Sequence, residues 1–311
     1  MFELVFLGTA AAVPSAERGL PALLVGHGPD RFLVDCGEGT QRQLLRAGLG
    51  FRGLRHVLLT HAHLDHVAGL AGLVATRALW GLSGALEIIG SAETVAFVRG
   101  YLAVTVGAER ESGYLLRVVS PGLLLLLPGL RLDAFAVAHR GTQSLGYRFE
   151  EEARRPLLAE RLAALGVPEG PARRELAGGR PVTLADGRLI APEMVRGPEV
   201  AGDRLVVVGD VEEVASLIQQ VRAADALVIE ATFLNRDSAL ARSRGHLTAA
   251  AAASLARDAG VGELLLTHIS GRYRAEEIKE EAAGIFPRTR IVADFDHISV
   301  AARAASAKIG I

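Results

Sequence analysis

The chain has 311 residues, of which 50% are hydrophobic, and its formal net charge is −1. This length allows a large buried core, and the near-zero charge excludes binding to nucleic acid through overall electrostatic attraction. The single cysteine, Cys36, excludes an internal disulfide and fits a reducing, cytoplasmic location. The leucine run at 123–127 is too short to span a bilayer, so we expect no membrane association.

The first elements are predicted from alternating apolar residues and turn signals. Residues 2–7 form a strand, and the apolar segments at 23–25 and 31–34 form a hairpin. Asp35 ends that hairpin, and two readings of it stay open: its carboxylate orients a metal-bound histidine, or it caps the following turn. Cys36 is interpreted as a small buried residue rather than a ligand.

Four ligand-type side chains lie within the hexamer His-Ala-His-Leu-Asp-His at 61–66. The hexamer follows a predicted buried strand and precedes a predicted helix, which is where α/β folds place their sites. Neutral imidazole and carboxylate suit zinc or another first-row divalent ion. The spacing lets His61 and His63 reach one ion and Asp65 and His66 a second, as in two-metal hydrolytic centres.

Several later predicted strands end in a ligand-type residue. Those strands are 130–138 before His139, 205–208 before Gly209-Asp210, 226–229 before Glu230, and 264–267 before His268. Parallel or mixed sheets bring such strand ends together along one edge. We therefore expect seven ligands to converge on two ions: His61, His63, Asp65, His66, His139, Asp210 and His268.

The remaining elements follow from hydrophobic periodicity and capping signals. Strands are expected at 56–60, 86–89, 115–119, 123–127 and 289–293. Helices are expected at 41–47, 67–80, 92–104, 211–223, 248–259 and 275–283. Thr248 is suited to cap the Ala-rich helix that follows it.

The segment 150–203 differs from the rest of the chain, because it is rich in Glu, Arg, Ala, Pro and Gly and only weakly periodic. It contains a predicted short helix at 157–165 and a hairpin with an Asp-Gly turn at 182–188. Two interpretations stay open: a solvated surface, or an arm whose arginines contact an RNA backbone. We predict one domain over 1–311 with 150–203 inserted as a substrate-binding arm.

Short motifs of a recognisable kind are distributed along nearly the whole chain. They are Phe6-Leu7-Gly8-Thr9, Asp35-Cys36-Gly37-Glu38-Gly39-Thr40-Gln41, the hexamer at 61–66, His139 with Ser144-Leu145-Gly146-Tyr147, Gly209-Asp210, Glu230-Ala231-Thr232-Phe233, and Leu266-Thr267-His268-Ile269-Ser270 with Arg272-Tyr273. Together they resemble the ribonuclease Z (tRNA 3′-processing endonuclease) family of the metallo-β-lactamase superfamily. The hexamer marks only the superfamily, whereas the Asp-Cys-Gly-Glu-Gly-Thr-Gln and Thr-His-Ile-Ser runs are more specific.

The resemblance implies an α/β fold, a four-layer αββα metallo-β-lactamase sandwich, with two zinc ions per chain and Mn²⁺ or Fe²⁺ as alternative metals. It also implies that the inserted arm grips precursor tRNA and that the protein is a homodimer. The implied ligands are His61, His63 and His139 for one ion, Asp65, His66 and His268 for the other, and Asp210 as the bridge between them.

The sequence departs from the family's usual pattern in three places. The early loop at 14–19 keeps Pro14 and Arg18 but not the family's Lys and Asn. Ile229 stands where the family often has His before Glu-Ala-Thr, and Leu247 stands where it usually has Ser. In the family the early loop is associated with sensing the tRNA 3′ end, so these changes bear on the cleavage position and on the substrate.

The expected reaction is the attack of a water activated between two cations on a phosphodiester, in line with the leaving group. Asp65 would orient this water and accept its proton, and His246, polarised by Glu230, would protonate the departing 3′ oxygen. The residues expected to bind substrate are Arg272, Ser270 and Arg18. For Arg272 the alternative is a charge on a helix surface.

Other classes of function were weighed against this one. The main alternative is a broad-specificity metallo-hydrolase of phosphodiesters or phosphotriesters that does not act on tRNA, which would explain the altered early loop. An RNA-binding protein with an inactive site is disfavoured by the complete ligand set. A lactam or lactone hydrolase is disfavoured by the His246 and Glu230 pair, and a diiron redox role by the lack of a flavin domain in the sequence.

Overall fold

The computed structural model describes residues 1–82, 84–107 and 113–300. They divide into two compact units, one formed by Met1–Glu150 with the chain from Asp203 onward, the other by Glu151–Gly202. The interpretation of the shorter segment as an arm inserted into a single domain stays a prediction.

The described strands and helices follow one another in a mixed α/β order. In chain order the strands are β1 (Phe2–Gly8), β2 (Ala22–His27), β3 (Asp30–Val34), β4 (Leu54–Leu58), β5 (Leu86–Gly90), β6 (Tyr114–Val118), β7 (Gly122–Leu127), β8 (Leu130–Val137), β9 (Ser144–Glu151), β10 (Val182–Thr183), β11 (Leu189–Ile190), β12 (Arg204–Val207), β13 (Ala226–Glu230), β14 (Glu263–Thr267), β15 (Thr289–Ile291) and β16 (His297–Val300). The helices are α1 (Thr40–Arg46), α2 (Leu64–Val67), α3 (Leu70–Leu79), α4 (Ala92–Thr105), α5 (Ala159–Ala164), α6 (Pro171–Ala177), α7 (Pro192–Val195), α8 (Ile218–Val221), α9 (Ser238–Arg244), α10 (Ala249–Asp258) and α11 (Ala275–Ala283). None of these helices is both long enough and apolar enough to cross a membrane, among the residues that the structure describes.

The larger unit is built on two seven-stranded sheets. The first has the order β16-β1-β2-β3-β4-β5-β6, and the second has the order β15-β14-β13-β12-β9-β8-β7. Strands β3 to β6 are mutually parallel, and so are β12 to β15. Because the carboxyl ends of parallel strands open at one edge, each sheet presents a row of loops at that edge.

The sheets pack face to face, because successive side chains of a strand point to opposite faces. In β1, Leu4 and Phe6 join the core between the two sheets, where they meet residues of the second sheet such as Tyr147. Val5 and Leu7 face the other way and pack with α1, α3 and α4. On the outer face of the second sheet, α10 and α11 complete another core. The predicted four-layer αββα architecture is therefore confirmed.

Two predicted helices differ from the structure, and two strands were not predicted. The helix expected over 67–80 is divided between α2 and α3 at Gly69, where an added Cβ would come within 2.1 Å of the Gly37 carbonyl oxygen. The helix expected over 211–223 is reduced to a 3₁₀ turn and the single turn α8. Strands β9 and β16 were not predicted, although β16 alternates exposed and buried residues and β9 begins with four buried ones.

The smaller unit has a core of its own, formed by Leu162, Leu176, Ile190 and Val195. Its strands β10 and β11 pair antiparallel around the predicted Asp-Gly turn, in which the Arg188 amide donates to Asp186. Among residues 151–202 there are eight acidic residues and eight arginines, with no lysine or histidine, so the formal charge is zero.

Candidate metal centre

The site lies where strands of both sheets end. The residues that follow those ends are Asp35 after β3, the hexamer 61–66 after β4, His139 after β8, Asp210 after β12, Glu230 at the end of β13 and His268 after β14. Loops at this edge carry polar side chains without interrupting the ladders, which explains why the ligand types cluster there.

The first cluster of ligand atoms comes from three histidines and Asp210. Nε2 of His61 lies 3.7 Å from Oδ2 of Asp210, and Nε2 of His139 lies 3.8 Å from the same oxygen. Nδ1 of His63 lies 2.8 Å from the His61 Nε2 and 3.3 Å from the His139 Nε2. These four side chains each bring one ligand atom within 4.8 Å of the others, so they can share one ion.

The second cluster uses the other oxygen of Asp210. Its Oδ1 lies 3.4 Å from Nε2 of His66 and 3.3 Å from Nε2 of His268. Oδ2 of Asp65 lies 3.6 and 3.5 Å from these nitrogens. Because Asp210 offers one oxygen to each cluster, its carboxylate has the geometry of a bridge between two ions.

Buried atoms without partners indicate that this centre suits cations. Within the described part of the chain, neither the His66 Nε2 nor the Asp210 Oδ1 has a hydrogen-bond partner, and both atoms are buried. Such atoms are costly unless something satisfies them. Imidazole nitrogens and carboxylate oxygens are the ligands that zinc and similar divalent ions take, so the donor set fits.

The charge states of the three histidines in the first cluster agree with this interpretation. Burial lowers the pKa of His61 well below its ordinary value, and burial also lowers the pKa of His63 and His139. These rings therefore stay neutral, as metal ligands must be. Burial favours the neutral acid of Asp65, but His268 and His66 outweigh it and hold the pKa of that carboxyl below its usual range.

Asp35 takes the orienting role that the sequence left open. Its Oδ2 accepts a hydrogen bond from Nδ1 of His66 at 2.7 Å, and its Oδ1 accepts from the Thr60 amide at 2.8 Å. The contact between Asp35 and Nδ1 leaves Nε2 of His66 facing the other ligand atoms of the second cluster. Outer carboxylates of this kind fix the ring orientation of metal-binding histidines.

His139 is oriented by a backbone carbonyl instead of a carboxylate. Its Nδ1 donates to the Gly245 oxygen at 2.8 Å. Gly245 has φ +71°, and an added Cβ would lie 2.5 Å from the Arg140 side chain, so both conformation and space favour glycine. Sequence reasoning missed this contact because 106 residues separate the two partners.

Glu230 is fully buried and holds the loop that carries His246. Its Oε1 accepts from Nδ1 of His246 at 3.0 Å and from the Val211 amide at 2.8 Å, and its Oε2 accepts from the Leu247 amide at 3.2 Å. Burial opposes protonation of His246, but Glu230 outweighs it and raises the pKa of the ring. The predicted pair is therefore in contact, and Nδ1 of His246 also lies 3.9 Å from the Asp210 carboxylate.

Backbone strain is concentrated around the centre. Four of the non-glycine residues with positive φ lie beside it: Ala12 at +55°, Asp35 at +59°, Arg140 at +47° and His268 at +56°. Each such residue costs about 1–3 kcal/mol and persists where the surroundings enforce it. One of these, Ala12, donates its amide to Asp65 at 3.2 Å and so connects the early loop to the second cluster.

The residues expected to bind substrate have different surroundings. Ser270 and Arg18 line a cavity of about 590 Å³ between the early loop and the segment after His268. The Arg18 guanidinium donates to the Thr9 hydroxyl at 2.7 Å and to the Val292 carbonyl at 2.6 Å, which braces the early loop. Arg272 is exposed in the turn before α11 rather than on a helix. Substrate binding by these residues stays a prediction.

Two protein-family profiles match parts of the chain. A profile described as Anti-Pycsar protein Apyc1 matches residues 2–96, and one described as Beta-lactamase superfamily domain matches residues 194–269. Fold and site together define a metallo-β-lactamase-fold protein with a histidine–aspartate centre that can bind divalent metal.

Comparison with individual proteins identifies the family within this class. Over 301 residues the chain is 56% identical to Ribonuclease Z from Bradyrhizobium diazoefficiens, with 96% of this chain and 100% of the relative covered. The protein therefore belongs to the ribonuclease Z family, as its motifs predicted. Human tRNase Z, short form, has the same fold with a TM-score of 0.68 at 24% identity, covering 96% of this chain and 99% of its own. Zinc-bound PqqB from Methylobacterium extorquens follows at 0.66 and 17%, covering 96% and 99%.

Proposed function

We propose that the protein is a metal-dependent endoribonuclease that removes the 3′ trailer of precursor tRNA. The observation that carries this proposal is its identity with a ribonuclease Z over 96% of the chain, joined to a gathered set of histidine and aspartate ligands. The human neighbour is named a tRNase Z, which supports tRNA as the substrate class.

The proposed ligands divide as the two clusters do. His61, His63 and His139 would hold one ion, Asp65, His66 and His268 would hold the other, and Asp210 would contribute one oxygen to each. We propose two zinc ions, with Mn²⁺ or Fe²⁺ as alternatives that the same nitrogen and oxygen donors accept. When bound, two such ions lower the pKa of water and stabilise the charge that develops on the phosphate.

The proton steps are assigned to residues that lie beside these clusters. Asp65 orients the attacking water and accepts its proton, because its Oδ2 lies within the second cluster, 3.6 and 3.5 Å from the Nε2 atoms of His66 and His268. His246 is the general acid for the departing 3′ oxygen of the ribose. Its Nδ1 is fixed by Glu230, so Nε2 is the atom that delivers the proton.

Substrate contacts are proposed at the cavity beside the second cluster. Arg272 is exposed and supplies a positive charge to a phosphate oxygen, and the amides near Ser270 supply hydrogen bonds. Arg18 contributes to binding through the early loop, whose shape its two hydrogen bonds maintain.

The segment 150–203 is proposed to grip the tRNA away from the scissile bond. Residues 151–202 within it have a formal charge of zero, which excludes attraction of RNA by net charge, so binding must use individually placed arginines and backbone amides. Most of its arginines already pair with acids of the same segment, for example Arg155 with Glu193 at 2.5 Å and Arg188 with Asp186 at 2.7 Å. We also propose a homodimer in the cytoplasm, where a buried single thiol stays reduced.

The test compares precursor tRNA with a small phosphodiester, bis(p-nitrophenyl) phosphate, at equal enzyme and metal concentration. We expect cleavage of precursor tRNA at the 3′ side of the acceptor stem, and loss of that cleavage with a chelator. Hydrolysis of the small ester without any cleavage of precursor tRNA would replace the proposal with the alternative, a broad-specificity phosphodiesterase or phosphotriesterase. Light scattering of the same sample tests the dimer.

A further inference from the structure

Two buried threonines occupy matching positions in the centre, and the reaction described above uses neither. The Thr60 hydroxyl lies 2.9 Å from Oδ2 of Asp35 and 3.0 Å from Nδ1 of His61. The Thr232 hydroxyl lies 2.5 Å from Oε2 of Glu230 and 2.9 Å from Nδ1 of His268. In both cases one hydroxyl stands between a buried carboxylate and a histidine.

The chemistry of these groups fixes the direction of the hydrogen bonds. An ionised carboxylate only accepts, so each hydroxyl donates its single proton to the carboxylate. The hydroxyl oxygen then accepts, and the partner must be an Nδ1 that carries hydrogen. A neutral ring protonated at Nδ1 has its lone pair at Nε2, which in His61 lies 3.7 Å from Asp210 and in His268 lies 3.3 Å from it.

Packing holds both hydroxyls in place. Thr60 is 1% exposed and Thr232 is 5% exposed, so water does not compete for them. Gly209 lies against Thr60 so closely that an added Cβ would be 2.8 Å from the hydroxyl oxygen. The Thr60 amide donates to Oδ1 of Asp35 as well, which ties its backbone to the same carboxylate.

Each carboxylate also contacts a second histidine directly. Asp35 accepts from Nδ1 of His66 at 2.7 Å, and Glu230 accepts from Nδ1 of His246 at 3.0 Å. One carboxylate therefore orients two rings, one directly and one through a threonine hydroxyl. Since His61 belongs to the first cluster and His66 to the second, Asp35 influences both.

We propose that Thr60 and Thr232 are positioning residues, whose hydroxyls select Nε2 as the ligand atom of His61 and His268 and hold those rings on their ions. This inference rests on the proposed two-ion centre. It assigns Thr60 to the ion of the first cluster and Thr232 to the ion of the second.

The experiment measures metal binding, separately from catalysis, in four full-length variants and one control variant. Thr60→Val and Thr232→Val keep the shape and remove the hydroxyl, whereas Thr60→Ser and Thr232→Ser keep it. Thr289→Val is the matched control, because that buried hydroxyl donates to the Phe286 carbonyl and Thr289 pairs with Leu264, near the end of β14 opposite to His268. Zn²⁺ affinity at each site is obtained by competition with a chromophoric chelator.

We expect each valine variant to hold one of its two ions about 10- to 100-fold more weakly. The serine variants and Thr289→Val should bind both ions like the wild type. Long-range ¹⁵N–¹H spectra of the zinc-loaded wild type should show His61 and His268 protonated at Nδ1. In the metal-free protein, Thr60→Val should lose this single tautomer at His61, and Thr232→Val should lose it at His268.

Contrary results are distinguishable. Valine variants with wild-type affinity for both ions overturn the inference, as do serine variants that bind as weakly as the valine variants. Melting curves of the metal-free proteins distinguish a packing defect from a loss of ring orientation. A large fall in melting temperature for the valine and serine variants alike would mean that these threonines act only in core packing. A wild type that takes up no ion would instead refute the metal centre on which the inference rests.

Discussion

At the scale of single residues, proton transfer to the leaving group depends on His246. We predict that His246→Ala lowers kcat/KM for precursor tRNA by about 10²–10⁴-fold, the usual contribution of general acid catalysis. The same change should have little effect on bis(p-nitrophenyl) phosphate, because nitrophenolate is a weak base and leaves without a proton. Steady-state kinetics on both substrates measures the difference.

The matching control is the metal content of the variant. Nδ1 of His246 lies 3.9 Å from Asp210, so the ring is close enough to the ligands to matter to them. His246→Ala should keep the zinc content of the wild type. Equal losses on both substrates, or a loss of zinc, would make His246 a metal-site residue instead of the acid.

Cys36 illustrates how burial controls reactivity beside the centre. Its side chain is fully buried, and burial raises the pKa of the thiol to about 12. We predict that the native protein does not react with an aromatic disulfide reagent at about pH 8, where an exposed thiol is partly ionised and reacts. After denaturation one thiol per chain should react. Rapid stoichiometric reaction of the native protein would contradict the buried position.

At the scale of elements, the hydrophobic pattern and the residues at the strand ends were enough to predict most of the fold. Strand β1 and helix α11 were predicted nearly at their bounds. In each, the spacing of the apolar residues indicates the type of element, and the neighbouring residues mark where it begins and ends. The ligand residues were placed by one rule, that parallel strands end at a common edge. That rule needs no knowledge of distance between segments, so it works from sequence alone.

The failures have a physical reason in long-range contacts. The helix predicted over 211–223 is reduced to a 3₁₀ turn and α8. At its predicted start the Val211 amide donates to Glu230 and the Glu212 amide donates to the Ala138 carbonyl, so partners far along the chain fix the backbone there. Strand β16 needs β1, almost 300 residues earlier, as its pairing partner, so local sequence offered little to recognise it.

Helix α10 offers a test of the local rules. Thr248 accepts a hydrogen bond from the Ala251 amide at 3.2 Å and so caps the first turn. We predict that Thr248→Ala lowers the free energy of unfolding by about 0.5–2 kcal/mol. Urea denaturation of the metal-loaded protein measures it. Thr248→Ser, which keeps the hydroxyl, should stay close to the wild type, and equal losses in both variants would point to packing of the methyl group.

At the scale of the whole molecule, the strained residues and orphaned atoms suggest that metal contributes to stability. We predict about two equivalents of zinc, or of a similar ion, per chain, since two clusters share Asp210. Removal with a chelator should abolish activity and lower the melting temperature, because a ligand at 100 times its Kd adds about 2.7 kcal/mol to the folded state. Elemental analysis and melting curves check this; a metal-free sample with full activity would contradict it.

The last prediction concerns the segment 151–202. Glu150 of β9 lies directly opposite Arg204 of β12 in an antiparallel pair. Replacing Glu151–Gly202 by Asn-Gly therefore leaves a three-residue loop, Asn-Gly-Asp203, which can close the two strands as a hairpin. The apolar side chains Leu162, Leu176, Ile190 and Val195 of the segment pack in a core of their own. The shortened protein should therefore keep its metal content and its melting temperature within a few degrees.

Its two activities should separate. We expect hydrolysis of bis(p-nitrophenyl) phosphate close to the wild type, since the ligands and His246 lie outside the deleted segment. Cleavage of precursor tRNA should fall by orders of magnitude, mainly through KM, because contacts distant from the scissile bond bind the ground state and the transition state alike. Equal losses on the two substrates would mean that the segment serves folding or the centre itself, and unchanged tRNA cleavage would remove its role in binding.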